Sequence, residues 1–339
     1  MSDVTGRQAL RLATRGSPLA LWQARRVADL LAGIGVEASL VVVETTGDAR
    51  ADVPLDRIGG QGVFVKEVQL AVARGEADAA VHSAKDLPAT WPGVGSPLAL
   101  AAFPERADPR DVLVGTRLAT LPTGATVATG SARRRAQLAN LRPDLTFTGL
   151  RGNLSTRLAA ADGVSVAAVV TAQAALDRLG WSPPDGTRCE ILEPEVMLPQ
   201  VGQGALAVEC RPDDGPTSAA LAAIDDPATR RLVEAERAFL AELGGGCTLP
   251  VGAHAVDGIA GFPVAGPGTG DGPLHLTGML ASGDGRVVLR HGLSGSRPVD
   301  LGRAVARYLL DDAGGAELGD WSSAGPVDAA AGETRRVTG

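Results

Sequence analysis

Apolar positions in the first half of the chain fall in short runs, each followed by a turn rich in glycine or serine and then by helical periodicity. Residues 10–14 (LRLAT) read as a strand, Arg15-Gly16-Ser17 as its turn, and a helix starts at Pro18. Ser17 is a natural N-cap, Pro18 suits the first helical position and Gly33 suits the stop. SLVVVET (39–45) is the next strand, and the Gly-rich DARADVPLDRIGGQG (48–62) leads into a helix over 63–74. ADAAVH (77–82) is a short buried strand ending in Ser83-Ala84-Lys85-Asp86-Leu87-Pro88. After a proline-rich stretch at 92–109 the pattern resumes. GATVAT (124–129) leads into the helix ARRRAQLANL, LTFTGL (145–150) into a helix over 154–161, and VSVAAVV (164–170) into TAQAALDRLG. Strands alternating with helices at this spacing predict parallel sheets in two α/β lobes. Ligands of such sheets sit beyond the carboxyl ends of the strands. ALAVEC (205–210), after the turn VGQG, is placed to return the chain to the first sheet.

From about Asp225 the character changes. A helix over 228–243 runs into Gly244-Gly245-Gly246-Cys247, and strand-like runs (VGAHAV, LHLTGML, RVVLRHGL) and a helix near 301–310 follow. That pattern predicts a small α+β domain with a loose Gly/Pro-rich hairpin loop in GIAGFPVAGPGTGDG. The expected division is residues 1–103 with 205–222 as the first lobe, 108–199 as the second, and 227–315 as the third domain. The chain loses its pattern from about Asp311, and 316–339 is expected to be a disordered tail.

Composition narrows the function. Hydrophobic residues make up 45% and charged residues 21%, which excludes wholesale disorder. A net charge of −7 with only 3% aromatics argues against a general nucleic-acid binder. No apolar run approaches the ~18 residues of a membrane helix. The N-terminus has no apolar stretch ahead of a cleavage site, so a cytoplasmic protein is expected. Three widely spaced cysteines, Cys189, Cys210 and Cys247, make no disulfide framework, and with four histidines no metal-ligand spacing appears. Of 32 cationic residues only Lys66 and Lys85 are lysine.

The arginines carry the sharpest clue. Arg133, Arg134 and Arg135 fall in the first turn of a helix, where the macrodipole disfavours cations. The placement makes sense if an anion is shared between these side chains and the free N–H groups of the helix start. Arg15 and Arg151 occupy the corresponding turns of their own units, and Arg157 and Arg178 lie in or after the following helices. Ser17, Thr129 and Ser131 beside them read first as caps or turn residues. Lys85 and Asp86 close a buried strand in a chain poor in lysine. Asp86 alone there can readily accept a proton or stabilise a passing cation, although an Asx turn before Pro88 fits the same position. His82 reads as a core histidine. Cys247, after three glycines, is an unshielded thiol able to act as nucleophile or attachment point, whereas Cys210 packs in a strand. Gly59-Gly60-Gln61-Gly62 with Phe64 and Lys66 reads equally as a mobile lid or an ordinary turn. On residues alone, a polyanion-processing enzyme competes with a two-lobed solute-binding protein and with a cysteine-dependent transferase or hydrolase.

Nine segments in register resemble porphobilinogen deaminase, also called hydroxymethylbilane synthase. They are LRLATRGSPLALWQA, GGQGVFVKE, ADAAVHSAKDLP, ADPRDVLV, ATGSARRRAQL, LRGNLSTRL, ALDRLG, LPQVGQGALAVECR and GGGCTLPVG, spread over about residues 8–310. The resemblance implies two lobes like those of type II periplasmic binding proteins, plus a small α+β C-terminal domain. It implies a monomeric transferase of tetrapyrrole (porphyrin and heme) biosynthesis that joins four porphobilinogen molecules head to tail and releases ammonia. It implies a dipyrromethane cofactor held through a thioether to Cys247, with no metal, nucleic-acid or membrane partner. Asp86 matches the catalytic aspartate. Lys85, Ser131, Arg133, Arg134 and Arg157 match cofactor-binding positions. Arg15, Ser17, Arg151 and Arg178 match substrate-binding positions, and Phe64 and Lys66 match the active-site loop. The chemistry agrees: each pyrrole unit carries two carboxylates, so a growing chain needs several forked cationic partners. With Lys85 beside it, Asp86 is expected to act by stabilising cations more than by simple acid catalysis.

Overall fold

The computed structural model describes residues 9–44, 65–90, 96, 98–150, 154–162, 166–244, 250–259, 262–263 and 272–318. The chain begins with strand β1 (Leu10–Arg15), helix α1 (Pro18–Gly33) and strand β2 (Ala38–Val43). Ser17 caps α1 as its position predicts, accepting from the Ala20 N–H at 3.3 Å. Helix α2 (Lys66–Ala73), strand β3 (Ala79–Ser83) and strand β4 (Ala99–Ala102) follow.

The second lobe contains β5 (Asp111–Gly115), β6 (Thr126–Ala128), α3 (Ala132–Leu141), β7 (Thr146–Thr148), α4 (Leu154–Ala159), β8 (Ala168–Ala172), α5 (Gln173–Arg178) and β9 (Arg188–Leu192). The chain then crosses back as β10 (Leu206–Cys210), followed by α6 (Gly215–Ala222). Sheet order is β2-β1-β3-β10-β4 in the first lobe and β7-β6-β8-β5-β9 in the second. The two lobes therefore repeat one plan. β1 runs parallel to β2 and β3, and β6 parallel to β7 and β8.

The expectation of purely parallel sheets is corrected here. β10 runs against β3 and β4, and β5 against β8 and β9. Each is the strand that reaches its sheet from the other lobe, and an apolar run reads the same in either direction. Both sheets are covered on two faces. Leu12, Val27, Leu31 and Leu206 pack on one side of the first, and Ala13, Val68 and Val72 on the other. Burying such side chains contributes roughly 1.5–3 kcal/mol each before entropy is counted.

The third sheet has the order β12-β11-β13-β14, built from β11 (Val251–Ile259), β12 (Phe262–Pro263), β13 (Leu274–Ala281) and β14 (Val288–Gly295). Its core is shared with helices α7 (Pro227–Glu242) and α8 (Pro298–Arg307) through Phe239, Leu276, Val305 and Leu309. Disorder from Asp311 is also corrected. A π-turn over Tyr308–Asp312 and a 3-10 turn over Gly315–Leu318 continue the domain, anchored by the buried Leu309. Residues 319–339 lie outside the described residues.

Candidate active site

β3 ends in a 3-10 turn over Ala84–Asp86, closed by the Leu87 N–H donating to the Ala84 carbonyl at 3.3 Å. This turn leaves Asp86 exposed and Lys85 half-buried. The segment preceding β10 holds it. Ala84 N–H donates to the Ala205 carbonyl, and Gln200 Nε2 donates to the Lys85 carbonyl at 3.3 Å. Gly202 takes φ +71°, and a Cβ there would stand 3.1 Å from Ala84 and Lys85 backbone atoms. On the other side Gln23 of α1 donates to Ser83 Oγ at 2.8 Å.

Lys85 connects the two lobes. Its Nζ donates to Gln203 Oε1 at 3.3 Å, and Gln203 Nε2 donates to Asp111 Oδ1 at 3.0 Å. Burial pushes the Lys85 ammonium down to about 8, against the opposing pull of Asp86. Asp111 is wholly buried and takes both arginines that open α3. Arg133 Nη1 lies 2.8 Å from Oδ2, and Arg134 Nη2 lies 2.7 Å from Oδ1. Burial alone would raise this carboxyl, but the two guanidiniums outweigh it and hold it far below the usual carboxylate range.

So the anion expected at the start of α3 is supplied in part by the chain itself. Part of the cationic capacity stays unused: Arg133 Nε and Nη2 and Arg178 Nε are buried without a hydrogen-bond acceptor among the described residues. Arg178 donates from Nη2 to the Gly204 carbonyl at 2.6 Å, and burial lowers it to about 10. Ser131 caps α3 by accepting from the Arg134 N–H at 3.4 Å, and Thr129 Oγ1 accepts from the Ser131 N–H at 3.2 Å.

The geometry thus links Lys85 through Gln203 and Asp111 to Arg133 and Arg134, with Ser131 capping the helix that carries both arginines, Arg178 bonded to Gly204 beside Gln203, and Asp86 following Lys85 in its turn. Arg15 and Ser17 lie at the end of β1, beside β3 in the same sheet. Arg157 and Lys66 are exposed, on α4 and at the start of α2. Phe64, Arg151, Cys247 and the glycines at 59–62 lie outside the described residues. The chain on the far side of Cys247 is placed, however. A Cβ at Gly252 would stand 3.4 Å from Arg133 Cδ, and Ala253 N–H donates to the Pro199 carbonyl.

Sequence reasoning missed Asp111, Gln203 and Gln200. The available signals were a carboxylate opening the apolar run DVLV and a glutamine between two glycines in VGQG. It also missed the strut joining the third domain to the lobes. The wholly buried Glu236 on α7 takes Arg106 Nη1 and Nη2 at 2.8 and 3.1 Å, and accepts from the Gly202 N–H at 2.8 Å and the Ala255 N–H at 3.0 Å.

Among the described residues no helix is long and apolar enough to cross a membrane, and no cluster of His, Cys, Asp and Glu could hold a metal ion. Two family models match: "Porphobilinogen deaminase, dipyromethane cofactor binding domain" over residues 10–219, and "Porphobilinogen deaminase, C-terminal domain" over residues 231–311. Curated relatives named porphobilinogen deaminase include one from Acidothermus cellulolyticus, 46% identical over 91% of this chain and 91% of its own length. Another, from Syntrophus aciditrophicus, is 45% identical over 90% of this chain and 96% of its own. Among solved structures, a periplasmic binding protein of Salmonella typhimurium with high arginine specificity aligns over 66% of this chain and 94% of its own, at 14% identity and a TM-score of 0.38. On the family models and these curated relatives, the chain belongs to the porphobilinogen deaminase family.

Proposed function

We propose that the two lobes clasp a dipyrromethane primer tethered to Cys247, and that Asp86 serves each condensation at the primer's free end. The activity comes with the family: the enzyme polymerises four porphobilinogen molecules into the linear tetrapyrrole hydroxymethylbilane, releasing ammonia, and it carries a dipyrromethane cofactor. When bound, that group supplies a primer with a nucleophilic terminal pyrrole carbon.

The residues present suit such a group. A polycarboxylate needs buried or half-buried cations with donors to spare, and Arg133 and Arg178 have them. Lys85, Ser131, Arg133, Arg134 and Arg157 are assigned to the primer, and Arg15, Ser17, Arg151 and Arg178 to substrate carboxylates, with Phe64 and Lys66 in a covering loop. Asp86 stabilises the cation left when the substrate loses ammonia and receives the proton shed as the pyrrole regains aromaticity. Asp111 does not compete for this work, because it is wholly buried and its carboxylate is ion-paired with both Arg133 and Arg134.

The observation that carries this reading is that Arg133 and Arg178 keep buried guanidinium nitrogens without acceptors among the described residues, Arg133 being linked through Asp111 and Gln203 to the lysine that precedes the exposed Asp86. Attachment at Cys247 is supported by Gly252, five residues further on, lying against Arg133. A cytoplasmic monomer, divided at 1–103 with 205–222, 108–199 and 227–315, belongs to the same proposal.

Intact-mass spectrometry is the test. The purified protein should exceed its sequence mass by two linked pyrrole units, and Cys247→Ser should remove the increment. An unmodified mass with full activity overturns the tether.

A further inference from the structure

Trp22 lies on α1 of the first lobe and Arg178 ends α5 of the second. The guanidinium carbon of Arg178 stands 5.6 Å from the centroid of the Trp22 ring, within cation–π range. Arg178 is 8% exposed, so this contact is made largely out of water, where the attraction is strongest. The neighbouring Asp177 is engaged by Gln173 Nε2 at 2.7 Å. Arg178 itself has the Gly204 carbonyl on Nη2 and no acceptor on Nε among the described residues.

We propose that Trp22 is a positioning residue that holds the Arg178 guanidinium over its indole ring, so that the unused nitrogen is presented to a substrate carboxylate. The inference rests on the assignment of Arg178 to substrate carboxylates. A guanidinium has a rigid planar fork, and an aromatic face fixes that plane without competing for its hydrogen bonds. A carboxylate at the same place would fix it equally well but would occupy the donors. Lobe 1 thus shapes a binding group carried by lobe 2. The grip on substrate is complete only when α1 and α5 are in contact.

A double-mutant cycle tests this, with kcat and KM for porphobilinogen measured on Trp22→Leu, Trp22→Phe, Arg178→Gln and the Trp22→Leu/Arg178→Gln pair. Intact mass confirms that each variant carries its primer. Trp22→Leu should raise KM about tenfold with kcat changed less than about twofold, and Trp22→Phe, which keeps a π face, should recover most of the loss. The double variant should be no worse than Arg178→Gln alone. A raised KM in Arg178→Gln with an unchanged KM in Trp22→Leu overturns the inference, as do losses that simply multiply. An unchanged KM in Arg178→Gln overturns the parent assignment and this inference with it. Should Trp22→Leu not fold, the same cycle with Trp22→Phe is read for coupling of about threefold.

Discussion

Asp111 and Arg133 meet inside the protein, with Oδ2 and Nη1 2.8 Å apart, the carboxylate wholly buried and the arginine 3% exposed. The pair sits at the N-terminal end of a helix, the worst end for a cation, and the carboxylate offsets that placement. Together with the Leu198 carbonyl, which accepts from the same Nη1 at 2.6 Å, it holds one end of the guanidinium, while Nε and Nη2 have no acceptor among the described residues. Asp111 is therefore the support on which the cationic side of the site is built.

Replacing Asp111 with Asn should show this directly. The buried Arg133 and the half-buried Arg134 would lose their counter-charge, at a cost of about 3–5 kcal/mol in urea unfolding. The same variant should carry less of the added primer mass. Full stability with full loading would remove Asp111 from this role.

Asp86→Asn keeps the shape of the turn and removes the charge. Turnover should fall at least about 100-fold, with the melting temperature little changed because the side chain is exposed. Near-normal turnover would mean that the carboxylate charge is not the source of catalysis.

Acid should loosen the junction of the third domain with the lobes through His254. Burial pushes this imidazole down to about 4, against Glu236, with Arg106, Glu195 and Asp108 also facing it. The unfolded chain takes up the proton first, near the ordinary value of about 6.5, so stability falls as the pH drops from there towards 4. The total loss is about 3 kcal/mol. Urea unfolding at pH 7 and pH 4.5 measures it, and His254→Gln should flatten that part of the profile.

Gly204→Ala should destabilise the crossing between lobes. Gly204 has φ +85°, and a Cβ there would stand 2.3 Å from the Ala107 carbonyl oxygen. Backbone strain of this kind costs about 1–3 kcal/mol before the clash is relieved. A thermal melt within a degree of the parent protein would contradict the expectation.

Local chemistry was legible in the sequence where one segment decides it. Ser17 and Pro18 mark the start of α1, Ser131 caps the helix over Ala132–Leu141, and the lysine–aspartate pair follows a buried strand as expected. Relations between distant segments were not. Nothing near Asp111 announces that its partners are 22 and 23 residues away on α3. Strands β4, β5 and β9 escaped notice because short runs such as ALAA lack a distinguishing period. The direction of β10 escaped for a different reason: alternation tells which face a residue occupies, not which way the chain runs.

The placement of β10 between β3 and β4 also sets an order of assembly. All five strands of the second lobe lie between residues 111 and 192, whereas the first lobe waits for residues 206–210. As the polypeptide leaves the ribosome, the later-encoded lobe can close its sheet while the earlier one still has a gap between β3 and β4. A fragment cut before Leu206 therefore keeps the second lobe's sheet intact and leaves β4 without its neighbour.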